Sequence, residues 1–134
     1  MKDMLDHSRL MPENPFMSYN HIEIDHVEQD RACMRLDIVR ESTNSYHMVH
    51  GGAYFTMADC CAGLAAHTDG RRYVTQGASV QFVRNTASGR VTAHSMVTSR
   101  GRTVCLAEVR ITDEADTLLF QGTFTMFCTG DRLE

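Results

Sequence analysis

An isolated carboxylate is the residue of this sequence with the clearest chemical potential. Asp59 stands among the apolar residues Met57, Ala58, Cys60 and Cys61, in a segment with helical composition. Burial in such surroundings would raise the pKa of the aspartate and make it a competent base or nucleophile near neutral pH. The alternative is a helix position that faces solvent or caps a neighbouring loop.

A second feature, His50-Gly51-Gly52, opens the same segment. Glycines at a helix start expose backbone N–H groups, and the helix dipole adds partial positive charge there. Such an end can hold a carbonyl oxygen while negative charge develops on it. The same two glycines would equally serve a tight turn and close packing, so the pair alone leaves both interpretations open.

The spacing between these features places a condition on any shared site. Gly51 and Asp59 are eight residues apart, which corresponds to about 12 Å along a helix axis. One helix therefore cannot bring both residues to the same carbonyl group. If both act on one bond, Asp59 must meet Gly51 of another subunit across a two-fold axis.

The elements that must position these residues are one helix and the strands that precede and follow it in the sequence. Apolar and polar residues alternate over 22–25 and 32–38, which predicts two strands joined near residue 29. Residues 50–67 are rich in Ala, Met, Leu and Cys without alternation, which predicts a helix. Because its apolar residues fall on nearly every face, the helix is expected to be buried all round.

Alternation returns in four further segments, near 74–82, 90–99, 103–112 and 117–128. The breaks between these segments are short enough for antiparallel hairpins, which predicts a four-strand meander. An antiparallel sheet that curls around the helix would bury the helix and one face of the sheet together. Residues 3–11 suit a short helix before the turn from Pro12 to Pro15.

The length, net charge and apolar segments of the chain limit which kinds of protein it can be. We expect one domain over 1–134, with an N-terminal helix and turn over 1–18. Thirteen basic residues against 17 acidic ones give a net charge of −4, which argues against a nucleic-acid partner. With neither a membrane span of about 20 apolar residues nor a secretory signal, a cytoplasmic protein is expected.

Cysteine and histidine usage predicts no metal site. The five cysteines are an odd number without CxxC spacing, so we expect reduced thiols in the core. The seven histidines are scattered, without an HExxH or His-x-His pattern.

The chemical features resemble those of a known family. Asn44, then His50-Gly51-Gly52, then Asp59 after Ala58 form a signature that resembles the PaaI-like acyl-CoA thioesterases of the hotdog fold. The segments VTQGASVQFVR and QGTFTMF and a Gly-Arg turn extend the resemblance over most of the chain. It implies an α+β fold, with an antiparallel sheet of about six strands around one long buried helix and a short N-terminal helix.

The resemblance also implies residue roles. The Gly51 N–H would polarise a thioester carbonyl, while Asn44 and His50 shape the turn around it. Asp59 of the partner chain would attack the carbonyl or activate water. The Thr75 hydroxyl would hold that water or orient the carboxylate, although Thr75 also fits an ordinary strand residue.

The implied substrate is an acyl-CoA, with no metal or other cofactor. The arginines in or beside turns are candidates for binding the CoA phosphates, because the planar guanidinium suits phosphate; they are Arg84, Arg90, Arg100 and Arg102. Of these, Arg84 and Arg102 are the selected candidates.

The remaining substrate contacts are assigned to two further residues. Gly52 belongs to the helix start that would hold the thioester. Phe82 belongs to an acyl pocket that would accept an aryl or medium-chain group.

Two other interpretations stay open. A non-catalytic acyl-CoA sensor would keep the fold but would not need a buried carboxylate beside the thioester. A hotdog dehydratase or hydratase would need an acid–histidine pair, and the sequence has no Asp-x-Asn-x-x-His segment. The sequence therefore favours a thioester hydrolase that works as a homodimer, alone or as a dimer of dimers.

Overall fold

The computed structural model describes residues 5–6, 10–11 and 13–132. The helix predicted over 3–11 lies largely outside these residues. In the described part of the chain, no helix is long and apolar enough to cross a membrane.

A short helix, α1, covers Pro15–Tyr19. Asn14 precedes it, and the Asn14 side chain accepts a hydrogen bond from the Met17 N–H at 3.1 Å. Pro15 suits the first helical position, because an N–H at this position has no acceptor within the helix and its absence in proline therefore loses no hydrogen bond. A proline that was predicted to lie in a turn thus begins a helix.

The described chain consists mainly of one long helix and a sheet of six antiparallel strands. The helix α2 covers Gly51–Ala66, within one residue of the predicted bounds at each end. The strands are β1 Ile22–Glu28, β2 Arg31–Asp37, β3 Arg71–Phe82, β4 Arg90–Arg100, β5 Val104–Thr112 and β6 Leu118–Arg132. This arrangement confirms the predicted α+β class.

The order of the strands shows that the predicted four-strand meander is wrong. The order is β1-β2-β4-β5-β6-β3, so β3 pairs with β6 at an edge of the sheet and β2 takes the place beside β4. The connection after β3 crosses the end of the sheet instead of forming a hairpin. It is fixed there because Val83 donates its N–H to the Leu119 carbonyl at 2.7 Å, and the Asn85 side chain donates to the Val49 carbonyl at 2.9 Å.

The core lies between α2 and the inner face of the curled sheet. Its largest fully buried side chains include Tyr54, Phe120, Phe124, Met34, Leu36 and Met57. Burial of one such side chain stabilises the fold by roughly 1.5–3 kcal/mol. The helix and the sheet therefore hold each other in place, and the helix start and its aspartate have fixed positions.

The prediction that α2 is buried all round is wrong for the single chain. Gly52 and Phe55 are exposed, and Thr56, Asp59 and Gly63 are half-buried. Each of these five residues lies three or four positions from another of them, so together they form one side of the helix, which we call the uncovered stripe. The sheet covers only the other side of α2.

The edge strand β3 borders the uncovered stripe. Of its twelve residues only Tyr73 is buried, and the side chains of Val74 and Phe82 are more than half exposed. Among the strands of the described residues β3 pairs only with β6, so beyond Tyr73 its other side presents backbone N–H and C=O groups without a strand partner. A free strand edge and an uncovered helix side thus lie next to each other.

A charged cluster joins the C-terminal end of α2 to the start of β3. The Arg100 guanidinium pairs with Asp30 and Asp69 at 2.8 Å each, and donates to the Ala66 carbonyl at 2.9 Å. The Tyr73 hydroxyl donates to Asp69 at 2.6 Å. These contacts fix where β3 begins relative to α2.

Candidate active site

The first turn of α2 is capped by an imidazole. His50 Nδ1 accepts a hydrogen bond from the Gly52 N–H at 2.7 Å. The His50 carbonyl accepts the Ala53 N–H at 2.9 Å. Among the described residues the Gly51 N–H has no acceptor, so this turn keeps a free donor at the positive end of the helix dipole.

Close contacts explain both glycines. A Cβ at position 51 would lie 3.3 Å from the Phe82 ring, and one at position 52 would lie 2.9 Å from His50 Nδ1. The first contact is tight and the second would disturb the cap. The two interpretations of the glycine pair, close packing and an exposed donor, are therefore compatible.

Asn44 builds the loop before α2. Its Oδ1 accepts hydrogen bonds from the backbone of Tyr46 at 2.9 Å and of Met48 at 3.2 Å. A backbone bridge between Thr43 and Val49 closes the loop. Asn44 is thus positioned beside the helix start by the loop that it holds together.

A cavity of about 390 Å³ lies beside Gly51. Its lining consists of Asn44, Val49, Gly51, Tyr54, Phe82, Val83, Arg84 and Asn85. The structure thus brings four of the predicted site residues to one place. A second cavity of about 330 Å³, on the outer face of the sheet, contains none of the predicted site residues.

Aromatic rings form one wall of the cavity beside Gly51. The Phe82 ring meets the Phe120 ring edge-on at 5.3 Å. The Tyr54 hydroxyl donates to Asn85 Oδ1 at 2.7 Å, and burial raises the pKa of Tyr54 to about 12, so this hydroxyl stays protonated. Sequence reasoning missed Asn85 and Val83, because no motif marks residues that reach the cavity only through the crossing connection.

Asp59 of the uncovered stripe and Thr75 of β3 form a hydrogen-bonded pair. Thr75 Oγ1 donates to Asp59 Oδ1 at 2.6 Å, whereas Oδ2 has no partner among the described residues. Asp59 is half-buried in the single chain, not enclosed as its apolar neighbours suggested. The result is a carboxylate with one oxygen held and the other available.

A β-bulge directs Thr75 towards the helix. The register of β3 with β6 shifts between Thr75 and Gly77, which leaves Gln76 as the additional residue. Bulges of this kind re-aim side chains and are frequent beside functional sites. The pair with Asp59 thus depends on an irregularity that the alternating pattern does not reveal.

The thiol next to Asp59 is a poor nucleophile. Burial, followed by the negative charge of Asp59, raises the pKa of Cys60 to about 11. A thiol with such a pKa is almost fully protonated near neutral pH. All five cysteines are free, with Cys60 and Cys128 half-buried and the other three buried.

The predicted residues fall into two groups within one chain. Gly51 lies at the cavity, and Asp59 with Thr75 lies about 12 Å further along α2. Arg102 is near neither group, because it lies in the turn after β4, at the C-terminal end of α2 where its carbonyl accepts from Arg71 at 2.6 Å. A single chain therefore does not bring its free donor and its carboxylate to one carbonyl group.

The arginines differ in how they are engaged. Arg90 forms two hydrogen bonds with Asp37, at 2.7 and 3.1 Å, and Arg100 is held in the charged cluster. The exposed guanidinium groups of Arg84 and Arg102 have no partner among the described residues. Of these two, Arg84 lines the cavity beside Gly51.

The sheet that wraps one long helix is the hotdog fold. The PaaI protein from the phenylacetic acid degradation operon of E. coli has this architecture, with a TM-score of 0.87 over 91% of this chain and 89% of that chain. At 18% identity this similarity establishes the fold alone.

Sequence comparison then defines the family. The thioesterase superfamily model matches residues 46–120, which include Gly51, Asp59 and Thr75. The protein Rv1847 of Mycobacterium tuberculosis, classed by name among the esterases, is 31% identical over 114 residues, 81% of each chain. The chain therefore belongs to the thioesterase superfamily.

The solved relatives include proteins crystallised with a ligand. One of them, a hypothetical thioesterase protein from Streptococcus pneumoniae TIGR4 solved with coenzyme A, is 28% identical and has a TM-score of 0.79 over 87% of this chain and 98% of that chain. Two further structures from that organism carry an Asp-to-Ala and a Thr-to-Ala substitution, 16 positions apart. Asp59 and Thr75 have the same separation in this chain.

Proposed function

We propose that this protein hydrolyses the thioester of an acyl-CoA to the free acid and CoA. The proposal rests on two groups that occur together in this chain. One is the free Gly51 N–H beside a cavity, and the other is the Asp59 carboxylate, which Thr75 orients. Membership of the thioesterase superfamily and the coenzyme A bound by the streptococcal relative support it.

The reaction follows from these groups. The thioester carbonyl oxygen accepts a hydrogen bond from the Gly51 N–H, which stabilises the negative charge of the tetrahedral intermediate. Asp59 Oδ2 takes a proton from the attacking water, or attacks the carbonyl carbon itself, while Oδ1 remains bound to Thr75. Collapse of the intermediate breaks the C–S bond, and the CoA thiolate leaves and takes up a proton. If Asp59 is the nucleophile, the acyl group then forms a mixed anhydride with Asp59, and water hydrolyses this anhydride to the free acid and the carboxylate.

The active site requires two chains in this proposal. Gly51 and Asp59 of one chain are too far apart, so Asp59 acts on the thioester held by Gly51 of the other copy. The free edge of β3 and the uncovered stripe support a two-fold homodimer with both helices side by side. Pairing of two such dimers is compatible with this arrangement.

The cavity suggests how the substrate lies. Its aromatic wall suits an aryl or medium-chain acyl group, with Phe82 in contact with the helix start. The free guanidinium of Arg84 beside this cavity suits a CoA phosphate. Arg102 would contribute only from the far end of α2.

The test is release of CoA thiol from a panel of aryl, short-, medium- and long-chain acyl-CoAs, followed with a chromogenic thiol reagent. Asp59→Asn is expected to lower kcat by about 10²- to 10⁴-fold, because the amide cannot accept the proton. Asp116→Asn makes the same chemical change in an exposed turn and is expected to keep wild-type activity. A blank without substrate corrects for the five native cysteines.

Two results would contradict the proposal. Wild-type turnover by Asp59→Asn would remove Asp59 from the reaction. Tight acyl-CoA binding without turnover by the wild-type protein would favour the non-catalytic sensor.

A further inference from the structure

Three side chains of types that can bind a metal ion lie together on the outer face of the sheet, although residue spacing alone predicted no metal site. One ligand atom from each of Asp25, His26 and Cys33 lies within 4.8 Å of the other two. Asp25 and His26 belong to β1, which forms the sheet edge opposite β3. The group is therefore remote from Asp59, and a role for it is independent of the proposed function.

A second β-bulge brings two consecutive residues of β1 to the same side. The register with β2 shifts between Ile24 and His26, which leaves Asp25 as the additional residue. In a regular strand Asp25 and His26 would point to opposite faces. Here Ile24 and Val27 pack on the core, and the two polar residues between them share the outer face.

Cys33 is the thiol that these two residues cover. It lies directly opposite His26 on β2 and is 3% exposed, although it is not part of the apolar core. On its other side, His94 of β4 is its register partner. Burial, followed by the charge of Asp25, raises the pKa of Cys33 to about 11, so a cation must displace the thiol proton.

The charges around Asp25 are compatible with one bound cation. Arg35 donates to Asp25 Oδ1 at 2.9 Å and pairs with Glu23 at 3.1 Å, so two carboxylates neutralise this guanidinium. The other oxygen, Asp25 Oδ2, lies 3.0 Å from His26 Nδ1. A cation would take the position of the proton between these two atoms.

We propose that Asp25, His26 and Cys33 bind one thiophilic divalent cation of the Zn²⁺ type. Zn²⁺ bonds of 2.0–2.3 Å would place the ligand atoms about 3.3–3.8 Å apart, which small side-chain rotations achieve from the observed spacing. On binding, the Cys33 thiol proton leaves to solvent and the imidazole proton resides on Nε2. Water completes the coordination, and His94 is the next imidazole in the same row.

Cobalt(II) titration of the full-length protein, after removal of metal with a chelator, tests the site. We expect one Co²⁺ per chain, a near-ultraviolet band from thiolate-to-cobalt charge transfer, and displacement of Co²⁺ by Zn²⁺. Cys33→Ser should abolish the band, and His26→Gln should weaken binding about tenfold or more. Cys128→Ser, which alters a half-buried thiol on β6, should change neither.

Three outcomes overturn the proposal. They are no stoichiometric Co²⁺ binding, a charge-transfer band that persists in Cys33→Ser, and unchanged affinity in His26→Gln. His26→Gln alters a partly exposed side chain, so this variant remains informative if Cys33→Ser fails to fold.

Discussion

The imidazole of His50 determines which backbone donor remains available at the start of α2. It occupies the Gly52 N–H, and the Gly51 N–H is left free. The glycine pair alone did not indicate which donor stays free, and Gly51 was assigned only through the family resemblance; the His50 cap on Gly52 is the physical reason that the Gly51 N–H is free. That choice depends on the orientation of one side chain.

Gly51→Pro removes the free donor and keeps the helix. Proline is favoured at the first helical position, and His50 before it has the required extended backbone, with φ −68° and ψ 137°. We expect kcat to fall by about 10²- to 10³-fold in steady-state thiol release, the usual effect of losing one oxyanion donor.

Gly51→Ala is the matched control for this variant. It adds a Cβ at the same position, 3.3 Å from the Phe82 ring, but retains the N–H. It should keep most of the activity. Equal losses in the two variants would show that crowding, not the donor, is responsible.

Thr75 is expected to act as a positioning residue for the carboxylate. Thr75→Val keeps the shape but cannot donate to Asp59, and loss of a hydrogen bond to a charged group should lower kcat by about 10- to 100-fold. Thr75→Ser retains the hydroxyl and should retain most of the rate. KM should change little in either variant, and wild-type kcat in Thr75→Val would argue against the role.

At the scale of elements, local patterns predicted more than long-range pairing. The bounds of α2 and the β1–β2 hairpin follow from periodicity and composition. The position of β3 beside β6 does not, because turn length cannot identify the strand that becomes the neighbour. An uninterrupted alternation would also place Thr75 and Ala78 on opposite faces, whereas the bulge places both beside buried residues of β6.

The charged cluster makes the junction of α2 and β3 sensitive to acid. Burial alone would raise the pKa of Asp69, but hydrogen bonds from Tyr73 and Arg71 outweigh it and lower the pKa below 3.8. Because the pKa is lower in the folded state, the stabilisation is present above about pH 4 and is lost as the pH falls through the folded-state value.

Asp69→Asn should therefore destabilise the protein in a pH-dependent way. We expect the free energy of unfolding to fall by about 1–3 kcal/mol at neutral pH, and the difference from wild type to shrink below about pH 4. Urea unfolding across this pH range measures both. A difference that stays constant with pH would mean that the ionised carboxylate of Asp69 is not the cause.

At the scale of the whole molecule, the proposed site is divided between two chains. The distance along α2 was predictable from spacing, and the uncovered stripe with the free edge of β3 is the surface that the proposed dimer would bury. The sequence did not reveal this surface, because the composition of α2 is apolar on nearly every side.

Mixing two inactive variants tests the division. Asp59→Asn and Gly51→Pro place their defects in different halves of the site, so a mixed dimer contains one intact site and one doubly defective site. After exchange of subunits, each mixed dimer should show about half of wild-type turnover. If the mixture stays as inactive as its two parents, each site lies within one chain.

The free edge of β3 also affects how prone the newly synthesised chain is to aggregate. Until a second copy arrives, each chain presents unpaired backbone groups that any extended segment can join. In the proposed dimer, assembly would therefore protect against aggregation as well as complete the active site. At low concentration the protein would be mostly monomeric, and the monomer would be both inactive and prone to aggregation. The concentration of the protein in its cell would therefore affect both its stability against aggregation and its activity.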